Sequence, residues 1–218
     1  MNIKEYAQGN KLFRSYFKKN QESLLDLVKN GQSPKALFIG CSDSRVIPDL
    51  MVQTNPGDLF VLRNVGNFVP PYKPDEEYHA TASGIEYAVS VLNVQEVIIC
   101  GHTHCGACKS LYQTIDDPSL IHTKKWLELG KSAKTNAVLS LGADAPEEEL
   151  LRLTEKLSVI KQIENILTYP YVQKRFEEGS LHIHGWHYDI ETGKIDYYNA
   201  DNYEFLPLKD LAQENASL

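Results

Sequence analysis

The 218-residue sequence lacks any apolar run approaching the ~20 residues that a bilayer-spanning helix requires, so no membrane segment is expected. It also lacks basic clusters. Its 22 Lys and Arg face 29 Asp and Glu, and a net charge of −7 argues against a nucleic-acid-binding surface. The first residues carry Lys4, Glu5 and Lys11 where a secretory leader would have an apolar centre. Only 4 cysteines are present, too few for a disulfide framework in a chain this long, which points to a reducing, cytoplasmic setting. No repeat or low-complexity tract interrupts the chain. With 42% hydrophobic residues it is long enough to bury one core, so we expect one domain over residues 1–218, with a helical arm at 1–30 and an α/β core at 31–205.

What is present is concentrated in two short stretches, Cys41-Ser42-Asp43-Ser44-Arg45 and Gly101-His102-Thr103-His104-Cys105-Gly106. Each follows an apolar run, Ala36-Leu37-Phe38-Ile39 and Val97-Ile98-Ile99, that reads as a buried parallel strand. Ligands collect at the carboxyl ends of such strands. If the two strands are neighbours, Cys41, His102 and Cys105 meet. Two thiolates and an imidazole suit zinc, and three protein ligands leave a fourth tetrahedral position for water, as in catalytic sites. We therefore expect one zinc per chain. Asp43 and Arg45 could be an ordinary surface ion pair. Beside an open metal position they gain a role, because a carboxylate held by a guanidinium stays ionised and can accept a hydrogen bond there.

Along the rest of the chain, residues 2–30 are helical in texture, with Leu12, Phe13, Tyr16 and Phe17 at helical intervals. A short helix with Pro48 in its first turn is expected at 47–53, and a second strand at 59–62. A helix is expected at about 75–92, a third strand at 94–100, and long helices at 123–141 and 146–167. Tyr169-Pro170 breaks the last pattern. Residues 181–190 and 194–198 alternate around Glu191-Thr192-Gly193 as a hairpin. The fold class is α/β: a mostly parallel central sheet flanked by helices, with a late antiparallel hairpin and an N-terminal helical arm.

Other cysteines and histidines allow different readings. Cys100, Cys105 and Cys108 have the local spacing of an iron–sulfur run, but that pattern places its fourth cysteine after the run, whereas Cys41 precedes it. Cys105 and Cys108 as a redox pair lack a thioredoxin-like context. His182 and His184 share a strand face and, with His187, could form a second metal site, although a polar strand face explains them as well. His104 is a loop histidine that could relay protons.

At these motifs the sequence resembles the β-class carbonic anhydrases. The paired signature Cys-x-Asp-x-Arg and His-x-x-Cys falls on Cys41, Asp43, Arg45, His102 and Cys105. The stretches Gly31-Gln32-Ser33-Pro34, Phe60-Val61-Leu62-Arg63-Asn64-Val65 and Gly84-Ile85-Glu86-Tyr87-Ala88 agree. The resemblance implies zinc-dependent, reversible hydration of carbon dioxide to bicarbonate and a proton, with hydroxide on zinc oriented by Asp43 and Arg45. It implies that Gln32, Phe60, Tyr87 and the backbone N–H of Gly106 bind substrate. It also implies a homodimer or a multiple of dimers, with Gln32, Phe60 and Tyr87 supplied partly across the interface. Gln32, Phe60 and Tyr87 resemble the plant-type branch, whose site stays open. In the other branch a tryptophan, an arginine and a tyrosine bind bicarbonate and favour a closed state; Arg63 and Tyr188 match two of these, but Phe38 replaces the tryptophan. The loop departs from the family's usual text at Thr103, Ala107 and Cys108, and Val91 stands where some plant enzymes carry a shuttle histidine. The same scaffold turned to carbon disulfide or carbonyl sulfide, or a non-catalytic metal or iron–sulfur protein, are the alternatives.

Overall fold

A computed structural model describes residues 2–19 and 21–209. The N-terminal stretch forms α1 (Ile3–Lys19) and α2 (Gln21–Asn30), followed by β1 (Ala36–Cys41), α3 (Pro48–Val52) and β2 (Leu59–Asn64). Next come α4 (Ala80–Glu86), β3 (Glu96–His102), α5 (Gly106–Ser110), α6 (Ile121–Leu127) and α7 (Lys131–Leu141). The chain then continues through α8 (Glu147–Ile166), α9 (Pro170–Glu177), β4 (His182–Tyr188), β5 (Ile195–Asn199) and β6 (Glu204–Pro207). One sheet runs β2-β1-β3-β4-β5-β6, with the first four strands parallel and β5 and β6 antiparallel. The expected mixed architecture is therefore observed, with the late hairpin extended by β6.

Helix boundaries differ in three places. The helix expected from residue 75 starts at Ala80, because Asp75 is held in the preceding loop by Lys73 at 2.8 Å and His79 at 2.6 Å; it then runs into a π-helical turn at Tyr87–Val91. The helix expected at 123–141 is split by a 3-10 turn at Glu128–Gly130. Pro170 starts a helix as well as ending one, since its missing N–H is not needed at the first helical position.

The helices flank the sheet unevenly. Leu37, Ile39, Val97 and Ile99 project toward Ile85 and Val89, Val159 and Ile166, and Val172, which α4 with its π turn, α8 and α9 supply. On the opposite face Ala36, Phe38, Ile98 and Cys100 pack with Met51, Leu59, Trp186 and Tyr188. Helix α1 buries none of its residues and leaves Ile3, Leu12 and Phe13 exposed.

Helix α8 reaches the sheet closely at two glycines. A Cβ on Gly101 of β3 would lie 2.7 Å from Val159 Cγ2, and one on Gly185 of β4 would lie 2.7 Å from Ile163 Cδ1. Absence of a side chain at these points lets α8 sit against the end of the sheet that carries the second motif.

Candidate active site

Strands β1 and β3 are direct neighbours, with Gly40 opposite Cys100, so their carboxyl ends present Cys41 and His102 side by side. Cys105 follows on the loop that enters α5. The two Sγ atoms and an imidazole nitrogen lie within 4.8 Å of one another, and all three side chains are buried. His102 Nδ1–H donates to the Thr103 carbonyl at 2.8 Å. A carbonyl only accepts, so this bond fixes the tautomer and leaves the lone pair on Nε2. Nε2 is buried and has no hydrogen-bond partner among the described residues. An orphaned imidazole nitrogen facing two thiols is the donor set a zinc ion fits.

The surroundings hold each ligand in place. Cys41 Sγ accepts the backbone N–H groups of Asp43 and Gly66, both at 3.4 Å. Thr103 N–H donates to the Tyr188 carbonyl at 2.9 Å, and its hydroxyl accepts Ile190 N–H at 3.0 Å, which ties the loop to the end of β4. Without metal, hydrogen bonding to Cys105 and burial push the Cys41 thiol up to about 12. A hydrogen bond to Cys108, together with burial, pushes Cys105 up as well, against a lowering bond from Cys41.

Asp43 and Arg45 form a two-point ion pair. Arg45 Nε donates to Oδ1 at 2.9 Å and Nη2 to Oδ2 at 2.7 Å, while the Arg45 backbone N–H reaches Oδ1 at 3.0 Å. The guanidinium hydrogen bonds hold the Asp43 carboxyl well below the usual carboxylate range. Arg45 Nη2 also donates to the His104 carbonyl at 3.1 Å, joining the two motif loops. Arg63 braces the first loop through the carbonyls of Cys41 at 2.9 Å and Asp43 at 2.7 Å, a role that its sequence position did not reveal. Asp43 is not part of the three-residue ligand group.

The expected substrate residues divide. Gly106 opens α5 directly beyond Cys105, and a Cβ there would meet nothing within 4 Å, so space lies above it. Phe60 and Tyr87 pair with each other at 5.9 Å between ring centroids. Phe60 is level with Leu37, however, four residues from Cys41 along the sheet, or ~13 Å at strand rise. Gln32 is exposed in the segment before β1, at the same far end. One chain thus does not bring Gln32, Phe60 and Tyr87 to its own ligand group.

The remaining candidates find other partners. Cys100 faces the opposite side of the sheet among Phe38 and Ile98, so the iron–sulfur spacing is not assembled. His182 and His184 both contact Glu96, at 3.2 and 2.6 Å, and form no second ligand group among the described residues. His104 lies 3.3 Å from Glu191. Phe38 packs edge-on against Trp186 at 6.4 Å, and the buried Trp186 Nε1 has no partner among the described residues. Sequence reading also missed Glu155, which accepts the backbone N–H of Cys105.

A carbonic anhydrase family model matches residues 36–195. The chain is 41% identical over 190 residues to a carbonic anhydrase of Pseudomonas aeruginosa, covering 87% of this chain and 84% of that one. It is 37% identical over 199 residues to one of Helicobacter pylori, covering 90% of each. Among solved structures it resembles the β-carbonic anhydrase CcaA, with a TM-score of 0.86, 35% identity, and coverage of 94% of this chain and 91% of that one. It also resembles a β-carbonic anhydrase of Sordaria macrospora, described as tetrameric, with a TM-score of 0.80, 29% identity, and coverage of 92% and 98%.

Proposed function

The chain belongs to the β-class carbonic anhydrases, and we propose that it catalyses reversible hydration of carbon dioxide to bicarbonate and a proton with one zinc per chain. The observation that carries this reading is the buried group of Cys41, His102 and Cys105, whose His102 Nε2 has no hydrogen-bond partner among the described residues. Zinc held there supplies the Lewis acidity that makes water a nucleophile at a pH of about 7. Asp43, kept ionised by Arg45, would accept a hydrogen bond from the attacking water and turn it toward the substrate carbon. The backbone N–H of Gly106, in the first turn of the helix beyond Cys105, would steady a developing product oxygen. Gln32, Phe60 and Tyr87 complete the pocket from a second copy, because they sit at the far end of their own sheet. Residues 1–218 act as one domain, the arm at 1–30 reaching the partner, and the four unpaired cysteines suit the cytoplasm.

We read the site as open, with Asp43 on Arg45 and away from the metal. Phe38 alone does not carry that reading, since Trp186 brings to the same face an indole N–H with no partner among the described residues. The two-point Asp43–Arg45 pair carries it.

The test is stopped-flow hydration of carbon dioxide on protein of measured zinc content. Activity near pH 7 without cooperative inhibition by bicarbonate is expected. Absence of hydration by fully zinc-loaded protein would refute the activity, and a neutral-pH crystal structure with an Asp43 oxygen on zinc would refute the open state.

A further inference from the structure

Helix α8 carries a carboxylate that the reaction scheme above does not use. The Glu155 side chain is 1% exposed, and its Oε1 accepts the backbone N–H of Cys105 at 3.1 Å. Its Oε2 lies 3.4 Å from His187 Nε2 on β4 and 3.1 Å from Arg152 Nη1, one turn back along α8. The Arg152 contact is an ion pair without the alignment of a hydrogen bond. An acidic side chain is seldom buried so fully without a purpose that offsets its desolvation. Here a helix, a strand and the loop of the second motif converge on one carboxylate.

We propose that Glu155 is a positioning residue for zinc: its buried carboxylate clamps the Cys105 backbone, with His187 and Arg152 holding the clamp. The inference rests on the zinc reading of the Cys41–His102–Cys105 group. Cys105 is the ligand that most needs such a hold. Cys41 and His102 end strands and inherit the rigidity of the sheet, whereas Cys105 stands on a loop just before a five-residue helix. Its neighbour His104 adopts φ 58°, a left-handed conformation that costs energy for a residue with a side chain. A loop strained in this way keeps its shape only when its surroundings fix it. Thr103 is fixed to β4, and Cys105 is fixed to Glu155. The close seat of α8 on Gly101 and Gly185 brings the carboxylate within reach.

The experiment compares zinc affinity, by competition with a chromophoric chelator, and the absorption of the cobalt-substituted protein. Glu155→Ala should bind zinc about 10–100-fold more weakly and shift the thiolate-to-cobalt band, the usual penalty for losing an outer-shell partner. Glu155→Gln keeps an acceptor for the Cys105 N–H and should recover most of that affinity. Ile166→Ala, buried in the same helix and remote from the loop, controls for lost stability and should leave affinity and spectrum unchanged. Should Glu155→Ala not fold, Glu155→Asp decides: it keeps charge and burial but is one methylene too short, so zinc affinity should fall in the same way. Parent-like affinity and spectrum in Glu155→Ala or Glu155→Asp, or an equal loss in Ile166→Ala, overturns the proposal. A parent protein that takes up no zinc would instead sink the metal reading. Hydrogen exchange at the Cys105 amide in metal-free protein then still reads the clamp, which predicts faster exchange in Glu155→Asp.

Discussion

The two carboxylate oxygens of Asp43 meet three donors from Arg45, so the proton that would neutralise the acid has to displace a full set of charge-assisted bonds. A depressed folded-state pKa adds stability that is present above the unfolded value of about 3.9 and is lost as pH falls toward the folded one. Asp43 therefore stays charged throughout the working range, and any loss of activity just below neutral pH belongs to another group. Asp43→Asn keeps the shape and places an amide donor against the guanidinium; we expect full zinc content with hydration slowed roughly 10–100-fold, measured by stopped flow beside metal analysis. Cys41 carries the opposite sign. Its metal-free thiol is pushed up to about 12 from an ordinary value near 9.0. Between those values the folded, metal-free protein holds more protons than the unfolded chain, so it loses stability as pH rises through that window. Thermal melts should show the chelator-stripped protein falling in Tm above about pH 9 relative to the zinc-loaded protein. Equal slopes with and without metal would contradict this.

Helix α8 positions Glu155 because two glycines let it approach, and that contact can be tested. Gly101→Ala places a methyl against Val159, whose β-branched side chain has little rotamer freedom, and should cost about 1–3 kcal/mol in urea unfolding while weakening zinc binding. Gly106→Ala, facing open space, should leave the unfolding midpoint unchanged and lower only the hydration rate. Much of this level was legible in the residues. β1 and β3 read as apolar runs that end at motifs, and their pairing brings Cys41, His102 and Cys105 together as their spacing led one to expect. Glu155 was not legible, for a physical reason: the buried face of α8 mixes apolar with polar residues, with Thr154, Ser158, Gln162 and Asn165 turned inward beside Val159 and Ile166. Gln162 and Asn165 are spent on the backbone of Val69, as acceptor for its N–H and donor to its carbonyl, so hydrophobicity alone does not mark which glutamate points in. Helix α9 was hidden because Pro170 reads equally well as an end and as a beginning.

At the scale of the whole molecule, one chain brings Cys41, His102 and Cys105 together but leaves Phe60 at the far end of its sheet. Leu12 and Phe13 are 66% and 53% exposed on α1, a helix with no buried residue, which is apolar surface that a second copy would cover. Leu12→Asp should shift sedimentation toward the monomer, keep zinc because the ligand group is internal to one chain, and lose activity because Gln32, Phe60 and Tyr87 would no longer arrive from a partner. A monomer with full activity at assay concentration would end the shared-pocket reading. The placement of the ligands also orders events in time. Residue 41 cannot meet residues 102 and 105 until β1 has paired with β3, which requires the whole intervening segment to be closed into a loop first. We expect the ion to grip the chain only after its folding barrier, because the three side chains converge only once that pairing and the loop beyond β3 are both in place. Interactions made after the barrier slow escape and leave entry alone. Refolding followed by tryptophan fluorescence should run at the same rate with or without zinc, while unfolding in denaturant should be retarded many-fold by the metal. Zinc would then govern how long a folded molecule lasts, and the pairing of two strands would govern how soon it forms.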